Sequence, residues 1–218
     1  SDVYVLLSSE VDDSSTTWAG TIPPGGYGSL SASAVKMTVD YFRYYAPTNT
    51  LFWSGAASAY WTNSANWVAS LPPDPGTELT FSYLSGNLDS SLGSDCSVEG
   101  LVFLGTTNSA SINGSHTLTL GAGGIDMVAA DHNLTLNAPV NLAANQTWTV
   151  GRNNPGNLLT GNGTLAGAAT LTKSGYGVLV LNGANTLSGA LNNTQGSLFI
   201  SGSLAGQLVV RGGIISGT

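Results

Sequence analysis

The stretch from Leu171 to Ser201, LTKSGYGVLVLNGANTLSGALNNTQGSLFIS, sets two short apolar runs, Val178–Leu181 and Ser197–Ile200, between Gly, Asn, Ser and Thr. Each run is too short for a stable helix and is entered through glycine, which predicts β-strands alternating with tight turns. Asn182-Gly183 and Asn185 follow the first run, where positive φ and side-chain-to-backbone bonds let a chain turn without charged residues. Similar runs recur at residues 78–83, 97–104, 117–120, 125–128, 133–136, 147–150, 170–172 and 208–210. Two or three short strands per coil, with turns of variable length, account for this spacing. In such a stack alternate Leu, Val and Ile side chains fill the interior and each strand bonds to its equivalents above and below.

Charge is the second constraint. Only 8% of residues are charged, against roughly 25% in an average globular domain. All 12 carboxylates lie at or before Asp131, whereas Arg152, Lys173 and Arg211 are the only ionic side chains after it. An unpaired charge inside a coil would cost several kcal/mol of desolvation, so an uncharged repeat is what a filled interior demands. With no basic stripe to neutralise phosphates, a nucleic-acid partner is excluded. Cys96 is the single cysteine, so no intrachain disulfide forms and no Cys/His spacing fits zinc. No run of about 18 apolar residues can span a membrane as a helix. No cofactor is implied.

The texture of Leu171–Ser201 resembles the autotransporter-associated β-strand repeat of bacterial surface and secreted proteins. That resemblance implies a right-handed parallel β-helix over residues 49–218 and an extracellular or cell-surface location. Trp53, Trp61 and Trp67, followed by Leu71-Pro72-Pro73-Asp74-Pro75-Gly76, look like the start of repeat-bearing passenger regions, where large side chains cover the first open coil. Proline ends a strand at Pro47-Thr48, which sets the boundary. Residues 1–48 have a different, aromatic texture: Val3-Tyr4-Val5-Leu6-Leu7 and the KMTVDYFRYY run at 36–45 both read as strands. They resemble the carboxyl end of a family 16 glycoside hydrolase, a concanavalin-like fold. The expected fold is therefore all-β: a partial antiparallel jelly-roll segment at 1–48, then the solenoid at 49–218.

The family's catalytic E-x-D-x-x-E strand, which carries nucleophile and acid/base, is absent. The nearest string, Glu10-Val11-Asp12-Asp13-Ser14-Ser15, has serine where the second glutamate belongs, so no catalytic residue is assigned. Trp18, in a Gly/Pro-rich loop, is the candidate carbohydrate contact through indole stacking. Glu10, Asp12 and Asp13 read as a solvated loop, not a metal site. Gly121-Ala122-Gly123-Gly124-Ile125-Asp126 reads as a turn, and His116 and His132 as surface or turn residues. The sequons at Asn113, Asn133, Asn145, Asn162 and Asn192 read as chance in a chain this rich in Asn, Ser and Thr. A polysaccharide lyase or hydrolase built on the solenoid would need clustered acids, and Asp89, Asp95, Glu99, Asp126 and Asp131 are scattered.

Two functions emerge. One is a non-catalytic structural region of a modular bacterial extracellular carbohydrate-active protein, with polysaccharide contacted through the N-terminal module. The other is part of a family 16-type glycoside hydrolase whose catalytic residues lie upstream of Ser1. Arg211-Gly212-Gly213-Ile214-Ile215 opens another turn and strand, so self-association at an open coil end is expected.

Overall fold

The computed structural model describes residues 49–152 and 154–217. The jelly-roll expected at 1–48 lies outside the described residues, as do Trp18, Glu10, Asp12 and Asp13. From Asn49 onward the chain winds into a parallel β-solenoid of about six turns. One stack orders Asn49–Phe52, Thr77–Phe81, Cys96–Leu104, Leu118–Ala129, Gln146–Val150, Leu171–Ser174, Leu191–Asn193 and Leu208–Val210. The facing stack orders Asp89–Ser91, Ala110–Asn113, Leu134–Leu136, Leu158–Gly161, Val178–Leu181, Ser197–Ile200 and Ile214–Gly217. Val140–Leu142 and Leu165–Gly167 continue the first half of Leu118–Ala129 as a short third flank.

Register makes the interior columns explicit. Leu134, Leu159, Leu179, Leu198 and Ile215 stand one above another, as do Leu79, Leu101, Ile125 and Trp148. Nearly all are fully buried. A side chain of this kind contributes roughly 1.5–3 kcal/mol on burial, and its neighbours in the column hold it from both sides. Coil length is not constant: Trp148 pairs with Lys173, Lys173 with Asn193, and Asn193 with Val210, steps of 25, 20 and 17 residues. The widest of these coils encloses the indole, and narrower ones carry slimmer residues.

The aromatic cap is present. Trp53, Trp61 and Trp67 are all buried, with Trp67 edge-on to Trp53 at 4.8 Å and to Trp61 at 5.6 Å between ring centres. Phe81 lies beside both Trp53 and Trp61 and stacks on Phe103 at 4.7 Å, passing the aromatic column to the next coil. Each indole N–H has an acceptor: Gly86 O, Ser90 Oγ and Trp61 O respectively. Buried Asn66 fixes the cap loop by accepting from Ala57 and Ser58 N–H and donating to Ser58 Oγ and Tyr60 O.

Two sequence expectations change. Gly121–Asp126 is not a turn but the middle of the long strand Leu118–Ala129, which shifts register against Cys96–Leu104 between Val98 and Gly100. Positive φ is found at Gly175 and Gly196, at the turns between the stacks, but not at Gly183. A Cβ on Gly183 would run into the carbonyl oxygen of Gly163 on the neighbouring coil. Asn-Gly here records close stacking of turns, not a left-handed backbone.

Leu179 is fully buried in the middle of its column. Leu179→Asp should lower unfolding free energy by more than about 4 kcal/mol, because lost burial and a trapped carboxylate add. Thermal and urea unfolding of the two proteins checks this; equal stability would contradict the interior packing.

Candidate functional site

The solenoid carries three polar features: a ladder on the outside, a lysine inside, and a pocket beside the cap. The ladder begins at Asp89, which accepts from Asn113 Nδ2 at 2.7 Å and from the Ser111 hydroxyl. Asn137 donates to Asn113 Oδ1 (2.6 Å), Asn162 to Asn137 (2.8 Å), Asn182 to Asn162 (2.8 Å), and the Ser201 hydroxyl donates to Asn182. Every amide therefore donates toward the amino-terminal end, where a carboxylate takes the last hydrogen. The Ser111 and Asn113 bonds hold the Asp89 carboxyl below its ordinary range. Other asparagines brace single joints: Asn133 Oδ1 accepts from Leu158 N–H and Asn145 Oδ1 from Thr170 N–H. Four of the five sequon asparagines, Asn113, Asn133, Asn145 and Asn162, thus tie coils together, which gives these asparagines a structural role.

Lys173 corrects the expectation of a charge-free interior. Its side chain is fully buried on the column after Trp148, and its ammonium donates to the carbonyl oxygens of Ser174 (3.2 Å), Gly175 (2.5 Å) and Gln195 (2.7 Å). These carbonyls belong to turns of two successive coils, so the lysine is a clasp between them. Desolvation lowers its pKa from 10.5 to about 8. Asn193 sits on it in register and donates to Gly212 and Ile214 carbonyls, repeating the clasp one coil on.

The pocket encloses about 260 Å³ and lies between the proline-rich loop and the start of Cys96–Leu104. Pro72, Pro73, Pro75, Leu92 and the buried Trp61 give it apolar walls, and Thr62, Asp74, Ser94, Asp95 and Ser97 bring oxygens. Asp74 accepts from Gly76 N–H at 2.9 Å and Asp95 from Thr117 N–H at 2.8 Å, which fixes both carboxylates. Burial pushes the adjacent Cys96 thiol up to about 11, so it is no nucleophile at neutral pH. A shallower groove of about 350 Å³ runs past Gly123, Asn145, Thr147, Thr170 and Thr172.

The remaining sequence candidates fall apart in space or into local roles. Asp89 serves the ladder, Glu99 accepts from Gly123 N–H, Asp126 from Val128 N–H two residues on, and His116 stands 3.5 Å from Asp95. His132 presents its carbonyl to Asn157. Among the described residues no three of His, Cys, Asp and Glu are grouped to hold a metal. No helix there is long and apolar enough to cross a membrane. The pocket is invisible in the sequence, because Pro72–Pro75 carries only a turn signal until the strand it faces is known. No family model, curated protein or solved structure matches the chain.

The lysine makes stability pH-dependent. Its folded pKa is depressed, so between about 8 and 10.5 the unfolded chain binds more protons and stability rises with pH, by on the order of 3 kcal/mol in full. Cys96 works the other way: its thiol, raised from 9.0 to about 11, erodes stability across that interval. Urea midpoints should climb from pH 8 to 9 and level off above it. Lys173→Met should abolish the climb, and Cys96→Ser should let it continue to about pH 10.5. In the ladder, Asn162→Ala removes one donor and one acceptor and should cost roughly 1–2 kcal/mol by the same assay.

Proposed function

We propose that residues 49–217 are a non-catalytic structural region of a modular, bacterial, secreted or surface-exposed carbohydrate-active protein, with any catalytic carboxylates upstream of Ser1. One observation carries the reading: the polar ladder from Asp89 to Ser201 and the buried columns beneath it run unbroken from coil to coil. A region whose bonds repeat along its length resists extension, and the carboxylates of Asp89, Glu99 and Asp126 are each engaged by local hydrogen bonds. Nearest-neighbour stacking also lets such a region change length without changing kind. The family 16-like texture of residues 1–48 supports the carbohydrate-active context, with Trp18 as the sugar contact of that module. Exposed Leu208, Val210 and Ile214 support association through the last described coil.

The full 218-residue chain should release no reducing sugar from laminarin, agarose or lichenan; measurable turnover would overturn the assignment. Gly161 pairs with Leu181 across one 20-residue coil, so deleting residues 161–180 should leave a folded, shortened solenoid. Parallel-sheet circular dichroism with a cooperative melt is the expected result. Collapse to an unfolded chain would show that the coils are not interchangeable units.

A further inference from the structure

We infer that the pocket beside the tryptophan cap is a binding subsite for one pyranose ring of an uncharged glycan. This rests on the carbohydrate-active context proposed above and adds a second place of contact, within the solenoid itself. A pyranose has an apolar C–H face and a rim of hydroxyls, and the pocket offers the complement of both. Pro72, Pro73, Pro75 and Leu92 form rigid apolar walls, and prolines lose almost no side-chain freedom when a ligand packs on them. Asp74 and Asp95 are charge-bearing acceptors already oriented by backbone N–H groups, leaving further lone pairs for sugar hydroxyls. Thr62, Ser94 and Ser97 add hydroxyls that both donate and accept. Among the described residues the lining contains no Lys or Arg, so none of them would hold an anionic sugar. Among the described residues no third carboxylate, histidine or cysteine joins Asp74 and Asp95 in a group that could hold a metal ion. The volume, about 260 Å³, lies just below that of drug-sized pockets and suits a single ring.

The experiment uses the full chain, titrated calorimetrically with laminaritetraose, cellotetraose and maltotetraose, with tetramethylammonium as a cationic probe. At least one tetrasaccharide should bind. Asp74→Asn and Asp95→Asn should each weaken it about tenfold, about 1.4 kcal/mol, while circular dichroism shows an unchanged fold. Pro73→Gly, which removes a wall but no charge, should weaken it as well. The indole N–H resonance of Trp61 should shift on binding in the parent protein. No saturable binding at about 10 mM of any tetrasaccharide overturns the subsite but leaves the structural reading standing. Binding of tetramethylammonium in place of the sugars, or sugar binding lost in Trp18→Ala yet unchanged in all three pocket variants, overturns it too. Reducing-sugar release, by contrast, would strike at the structural reading and not at the subsite.

Discussion

Parallel stacking makes every residue of the solenoid the neighbour of its own counterpart one coil later. Main-chain hydrogen bonds fix that relation, and side chains inherit it: a leucine inside must lie on something leucine can tolerate, and an amide outside must lie on something it can bond. Charge is the first casualty. Like charges stacked at strand spacing, about 4.8 Å, repel at every step, whereas an amide, being both donor and acceptor, can be repeated without limit. The depletion of ionic residues after Asp131 and the abundance of asparagine are two sides of this one constraint.

Lys173 is an exception to that rule with a local cause. A turn between the two stacks leaves carbonyl oxygens pointing inward, and in the wide coils Trp148 and its neighbours fill the space. One coil on, the ammonium reaches three of those carbonyls. Its burial is unfavourable in itself, as the depressed pKa records, but an uncharged side chain of the same shape would leave the carbonyls without donors. Asn193 solves the same problem without charge in the next, shorter coil. The succession of residues along this column, from Trp148 to Lys173 to Asn193, tracks the shrinking circumference and the continuing need for donors.

Much of the fold is legible in the chain, and the rest is hidden for definable reasons. The apolar runs at 147–150 and 178–181 announce strands because alternate residues are buried, and the tryptophans announce a cap because nothing else so large recurs. Asp89–Ser91 and Leu191–Asn193 are strands by virtue of their neighbours alone, and no local propensity marks them. Leu118–Ala129 reads as two strands in the sequence since glycine in its middle mimics a turn; the glycines are there because the bulged backbone passes close to Glu99 and Gly100. The ladder is hidden for a different reason. Asn113, Asn137, Asn162 and Asn182 are separated by 24, 25 and 20 residues, so no fixed period connects them, and only the register does.

The direction of the ladder ties the cap to the rest. Each amide donates toward the amino-terminal end, so the row carries aligned dipoles whose positive end meets Asp89, and aligned bonds polarise one another. Reversing a single amide would set two carbonyl oxygens face to face at one joint and two N–H groups at the other. The orientation chosen at Asp89 is thereby imposed on every later coil. Asp89 is itself part of a strand whose Ser90 receives the Trp61 indole hydrogen. The aromatic cap therefore does more than shield the first coil from water: through Ser90 it holds the strand that supplies the acceptor from which the outer hydrogen-bond row is built.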